Sequence, residues 1–124
     1  DDHSKALIKV LLKGNNGESY NIGGNEEKTN LEIVHSICDI LNDIYKESDF
    51  KNLITHVPDR PGHDRRYAID SKKINSKLNW FPNENFRSGL EKTVHWYINN
   101  QEWCNKIFNT NYSGKRLGLK NKDE

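Results

Sequence analysis

Cysteine is nearly absent from this chain of 124 residues, and only Cys38 and Cys104 carry a thiol. Two cysteines are too few for a disulfide scaffold, so reduced thiols and a cytoplasmic setting are expected. Long apolar runs are also missing, which excludes a bilayer-spanning helix, and no signal peptide is expected. Nor is there an excess of charge of one sign. Lysine and arginine number 19 against 18 acidic residues, a formal net charge of +1. Such a chain has no global field to gather nucleic acid or an anionic membrane, and neither is expected as a partner. Apolar residues make up only 33 % of the chain. Its length fits one domain, but the core should be thin and should lean on something else.

Local patterning is clear despite this. Ala6, Leu7, Val10 and Leu11 recur at helical spacing and stop at Gly14, which predicts a helix over residues 3–13. Tyr20-Asn21-Ile22 reads as a short strand closed by Gly23-Gly24. Thr29-Asn30-Leu31-Glu32 has the form of a capping box. The helix behind it sets Leu31, Val34, Cys38, Leu41 and Tyr45 on one face, supported by Ile37 and Ile44. A second strand is expected near residues 53–57. Asp70 or Ser71 can cap a short helix through Leu78. Phe86, Leu90, Val94, Tyr97 and Ile98 mark a last helix of about four turns. A domain over residues 1–108 and a loose tail over 109–124 are expected.

The most informative run is Asp59-Arg60-Pro61-Gly62-His63-Asp64-Arg65-Arg66-Tyr67-Ala68-Ile69-Asp70. Arginine presents a planar fork of donors that fits phosphate oxygens in pairs and stays charged near neutral pH. Pro61 fixes one backbone angle and Gly62 frees the next, so the turn can hold its cations in place. Tyr20-Asn21-Ile22-Gly23-Gly24, Lys28-Thr29-Asn30-Leu31, Leu78-Asn79-Trp80-Phe81-Pro82, Gly89-Leu90, Thr93-Val94 and Trp96-Tyr97 accompany it in order.

This succession, over residues 1 to about 104, resembles the C-terminal part of the dTDP-glucose 4,6-dehydratases, a group within the extended short-chain dehydrogenase/reductase family. The resemblance implies an α/β fold, here the C-terminal substrate-binding part of such an enzyme without its Rossmann-type NAD domain, mostly helices with a few short strands. It implies a lyase of deoxysugar biosynthesis that uses tightly held NAD. In that chemistry C4 of the hexose is oxidised, water leaves across C5 and C6, and the hydride returns to C6. The implied contacts to a dTDP-sugar are Asn30, Asp59, Arg60, Pro61, Gly62 and His63. Asn30 stands in the first turn of a helix, where free N–H groups and the dipole favour an anion. Arg60 is expected to grip phosphate, His63 to donate to ribose or phosphate, and Asp59 to orient Arg60. Arg65 and Arg66 are expected to form ion pairs or to pack.

The family's catalytic parts are not found. Gly14, Gly17, Gly23 and Gly24 are spaced wrongly for a dinucleotide-binding turn. None of the tyrosines begins a Tyr-x-x-x-Lys pair, because Gly24, Asp49, Ser71, Gln101 and Arg116 stand at the fourth position after them. No catalytic residue is therefore expected in this chain. NAD is expected on a missing N-terminal domain, and the complete enzyme is expected to be a homodimer. The chain alone is expected to be inactive. A non-catalytic binding remnant, or part of a UDP- or GDP-sugar epimerase or dehydratase, are the alternatives. No metal site is expected: His35 and Cys38 share a helix, but Cys38 lies on its apolar face and no second pair accompanies them.

Overall fold

A computed structural model describes residues 1–59, 61–64 and 66–110. Five helices follow one another: α1 (Asp2–Lys13), α2 (Asn30–Ile44), α3 (Lys72–Leu78), α4 (Phe86–Asn99) and α5 (Gln101–Thr110). A 3₁₀ turn, Phe50–Leu53, stands between α2 and α3.

The α1–α3 side holds the tightest core. Ala6 on α1 and Ile74 on α3 are both fully buried, and Leu78 and Trp80 complete the cluster. A methyl at position 6 lets the two helices approach closely, and Val10, Tyr20 and Ile22 pack around the contact. Burying a side chain the size of Ile74 contributes about 2 kcal/mol. Helix α3 ends at Asn79, whose φ of 48° and ψ of 44° lie in the left-handed region. Asparagine tolerates this conformation better than other residues with a Cβ. In the resembled family the usual form of this segment is Leu-Gly-Trp-x-Pro, and the left-handed backbone at Asn79 accounts for asparagine standing in the glycine's place. The turn brings Trp80 back under Ala6, and Lys9 on α1 donates to the Asn79 carbonyl at 2.6 Å.

Helix α2 packs against α4 and the 3₁₀ turn. Cys38, Ile40 and Val94 are buried at this second centre. Of the apolar face expected on α2, Leu31, Val34 and Tyr45 remain substantially exposed. Ile40 goes deepest instead, with 2 % exposure. The apolar residues of α2 cover a full half of its circumference, so spacing alone does not select which of them goes deepest. Asp39 and Lys51 tie α2 to the 3₁₀ turn at 2.6 Å. The two centres are joined through Asp2, whose Oδ2 accepts the N–H groups of Asn83 at 2.8 Å and Glu84 at 2.9 Å, just ahead of α4. Those bonds, from Glu84 first, hold the Asp2 carboxyl below its ordinary value.

Both expected strands are corrected. No strand occurs among the described residues, and residues 20–22 and 54–57 run without regular structure. A strand requires a ladder of backbone bonds to a neighbour, and neither segment has one among the described residues. Residues 21–27 instead lie along residues 66–71 through side chains and close packing. Helix α5 was not foreseen, and it carries the chain in helical form to Thr110. The remainder of the expected tail, residues 111–124, lies outside the described residues.

Candidate functional site

Asn30 opens α2, and the expected capping box is present around it. Thr29 Oγ1 accepts the Glu32 N–H at 3.2 Å, and Glu32 Oε2 accepts the Thr29 N–H at 2.7 Å. The Thr29 N–H first, and the Thr29 hydroxyl, which also donates to Glu32 Oε2 at 2.7 Å, hold the Glu32 carboxyl below its ordinary range. The N–H groups of Asn30 and Leu31 fall in the first turn, where no intrahelical acceptor exists. Asn30 is exposed. Lys28 adds positive charge close by, 3.8 Å from Glu26 and 5.8 Å from the centre of the Phe86 ring.

The second candidate segment is the turn at residues 59–63. Gly62 has a φ of 71° and open space around its Cα, so glycine is there for its backbone freedom. Asp59 and His63 are brought together, with His63 Nδ1 2.8 Å from Asp59 Oδ1. An ionised carboxylate only accepts, so Nδ1 carries the proton and Nε2 is left for a ligand. Asp59 thus engages His63. Arg60 itself lies outside the described residues, as does Arg65. The His63 side chain is 24 % exposed, and its ring centroid lies 6.4 Å from that of Tyr67.

No hydrogen bond or ring contact joins Asn30 to residues 59, 61, 62 or 63 in the structure; what relates them is a seam between residues 21–27 and 66–71. A Cβ on Gly23 would stand 3.0 Å from Ile69 Cγ2, so glycine here permits close approach. The Asn21 side chain donates to the Asp70 carbonyl at 3.4 Å. Ser71, fully buried, donates from Oγ to Asn25 Oδ1 at 2.8 Å, and Asn25 adopts a φ of 55° to receive it. Asp70 rather than Ser71 supplies the cap of α3, accepting the Lys72 N–H at 2.8 Å. Closest to the candidate residues, Arg66 grips Glu27 with two bonds of 2.7 Å, from Nε and Nη2. This pairing holds Glu27 below and Arg66 above their ordinary values. A cleft of about 620 Å³ opens beside the seam, lined among others by Gly23, Gly24, Glu27, Tyr67 and Lys72. Sequence reasoning named Arg66 only as a residue for pairing or packing and Ser71 only as a possible helix cap, and did not find Glu27 or Asn25. Partners 39 and 46 positions apart leave no periodic signal. No group of three or more His, Cys, Asp or Glu able to hold a metal occurs among the described residues.

Comparison with known proteins settles the family. A family model described as GDP-mannose 4,6 dehydratase matches residues 1–93. The chain belongs to this family. It is 48 % identical over 96 % of its length to a dTDP-glucose 4,6-dehydratase of Escherichia coli, of which it covers 34 %. A dTDP-glucose 4,6-dehydratase of Neisseria meningitidis is 47 % identical over 95 % of the chain, which covers 35 % of that protein. Among solved structures, the dTDP-glucose 4,6-dehydratase of Bacillus anthracis in complex with NAD superposes with a TM-score of 0.72 at 47 % identity. That match covers 82 % of this chain and 30 % of the other. DesIV of Streptomyces venezuelae, a dTDP-glucose 4,6-dehydratase solved with NAD and TYD bound, gives the same TM-score at 40 % identity, covering 83 % of this chain and 30 % of that one. This member of the GDP-mannose 4,6 dehydratase family thus has the fold of the corresponding part of those enzymes. It spans about a third of the length of the curated relatives it matches.

Proposed function

We propose that this chain is the sugar-nucleotide-gripping, C-terminal portion of a dTDP-glucose 4,6-dehydratase, which converts dTDP-glucose to dTDP-4-keto-6-deoxyglucose. The observation that carries this reading is the 48 % identity to such an enzyme across 96 % of the chain. The start of α2, with Asn30, meets one part of the nucleotide diphosphate. Arg60, a guanidinium suited to phosphate oxygens, holds phosphate, and Pro61 and Gly62 shape the turn that follows it. His63, with Nδ1 committed to Asp59, offers Nε2 to a ribose hydroxyl or a phosphate. Gripping the diphosphate and nucleoside converts binding energy remote from the reacting carbons into placement of the hexose.

NAD supplies the reversible store of hydride in this reaction. The residues described do not fit it: no strand precedes a glycine-rich turn, and Gly23-Gly24 stand five residues ahead of α2 rather than at its start. In a relative-length enzyme NAD therefore belongs to the portion that this chain does not supply. The outer face of α1, where Leu7, Ile8, Leu11 and Leu12 are all more than half exposed, is the surface offered to that portion.

The test is Arg60→Ala in the full-length enzyme. Loss of a charged contact to phosphate should raise KM for dTDP-glucose about tenfold or more. Unchanged KM and kcat would sink the assignment. The isolated chain should convert no dTDP-glucose. A second reading, a binding module without catalysis, draws on the absence of Tyr-x-x-x-Lys from the sequence. It is separated by whether the gene encodes the remaining two-thirds in frame.

A further inference from the structure

We infer that Glu27 and Arg66 form a positioning pair, which sets the spacing between the helix start that carries Asn30 and the turn that carries Asp59 and His63. The inference rests on the dehydratase reading for the identity of the ligand and on geometry for the rest. Each partner stands three residues from a candidate contact, Glu27 from Asn30 and Arg66 from His63. Three residues of extended chain reach about 10 Å, so the pair ties the two segments close to where both would meet one ligand. Of the four seam contacts, this is the one nearest in sequence to both segments.

A surface ion pair usually contributes little, because two flexible side chains must be ordered in water. This pair departs from that pattern in geometry. Nε and Nη2 of Arg66 each reach a separate oxygen of Glu27 at 2.7 Å. Such a fork fixes the angle between the partners as well as their distance. The pair is not what holds the fold, since Gly23 against Ile69, Asn21 to Asp70 and Asn25 to the buried Ser71 also join the same two segments. It also occupies a carboxylate three residues ahead of a helix start proposed to receive a diphosphate. Glu26 is likewise partnered, by Lys28, and Glu32 is engaged in the capping box. The acidic groups nearest α2 are thus each engaged by a neighbour and presented less directly to an incoming anion.

The experiment compares Glu27→Gln, Arg66→Gln, Arg66→Lys and the double variant Glu27→Gln/Arg66→Gln in the full-length enzyme, by steady-state turnover of dTDP-glucose, dTDP binding and melting temperature. Either glutamine variant should raise KM about tenfold and weaken dTDP binding alike, with kcat within about twofold. Melting should stay within about 2 °C of the parent. The double variant should be no worse than Arg66→Gln alone, because the two residues act through one contact. Arg66→Lys, which keeps the charge and loses the fork, should retain most of the defect. Unchanged KM in both glutamine variants would overturn the inference. So would additive effects in the double variant, or complete rescue by lysine, which would assign the role to charge alone. If the parent enzyme neither binds dTDP nor converts dTDP-glucose, the dehydratase reading falls first and this one with it. A parent that turns over normally, with variants that do likewise, removes this inference and leaves that reading standing.

Discussion

Two regions of the molecule are held by different forces. Around Ala6, Ile74, Leu78 and Trp80, helices α1 and α3 and the turn behind them are fastened by burial. Along residues 21–27 and 59–71 the chain is fastened by polar side chains, most of them exposed: Arg66 to Glu27, His63 to Asp59, Asn21 to Asp70. The buried contacts of the first region thus depend little on salt and pH, and the polar contacts of the second depend on both. The candidate ligand contacts all sit on or beside the second. An element that must accept a charged ligand keeps its donors near water, and a polar seam does this while a buried core anchors its far end.

The largest expected effect comes from breaking the first region. Ile74→Ala removes most of a fully buried side chain against Ala6 and Trp80. It should cost about 3 kcal/mol of stability, read by urea unfolding. Leu11, 83 % exposed on α1, should tolerate alanine within about 0.5 kcal/mol in this chain. In a full-length enzyme, Leu11→Ala should cost more than it does here, if α1 is covered there as proposed. Equal costs in the two settings would remove α1 as the contact surface.

A smaller effect should follow at the start of α2. Thr29→Ala removes the acceptor for the Glu32 N–H and should cost about 1 kcal/mol. The loss should be local, with amide protection falling in the first turn of α2 and not at Ile74 or Leu78. A uniform fall across both regions would show that the two are one cooperative unit, and the distinction between them would dissolve.

How far this division was legible depends on the range of the interaction. Helices α1, α2 and α4, the Thr29 capping box and the Pro61-Gly62 turn are written in neighbouring residues, and the chain adopts each of them. The asparagine at position 79 reads as a departure from a motif until its positive φ supplies the reason. Tyr20-Asn21-Ile22 and residues 53–57 have the composition of strands, yet strand formation depends on a partner that composition does not name. Cys38 lies buried on the face expected of α2, with Ile37, Leu41 and Ile44 half-buried beside it, but Ile40 goes deepest because the apolar half of the helix is broad and only packing against its neighbours selects within it. For the site, the Arg-rich run and Asn30 stood out by residue type. The bonds of Glu27 to Arg66 and of Asn25 to Ser71 span 39 and 46 positions and emerge only with the fold.

The gentlest way to separate the two regions is acid. Glu27 is held below its ordinary value of 4.5, chiefly by its hydrogen bond to Arg66. A carboxyl depressed in the folded state lends stability that is complete above the unfolded value and is lost as pH falls through the folded one. The contribution of the pair should therefore be constant from neutrality down to about pH 5 and decline below 4.5. Glu18 and Asp39, held down by Lys73 and Lys51, should follow the same direction elsewhere on the surface. NMR signals of Arg66 Nε–H and Tyr67 should shift in that window, while the buried Trp80 indole signal stays in place until the molecule unfolds as a whole. Glu27→Gln should abolish the Arg66 transition and leave Trp80 unmoved. A Trp80 signal that tracks Arg66 through the same titration would mean that the seam and the core titrate together, and that the polar region is no more separable than the apolar one.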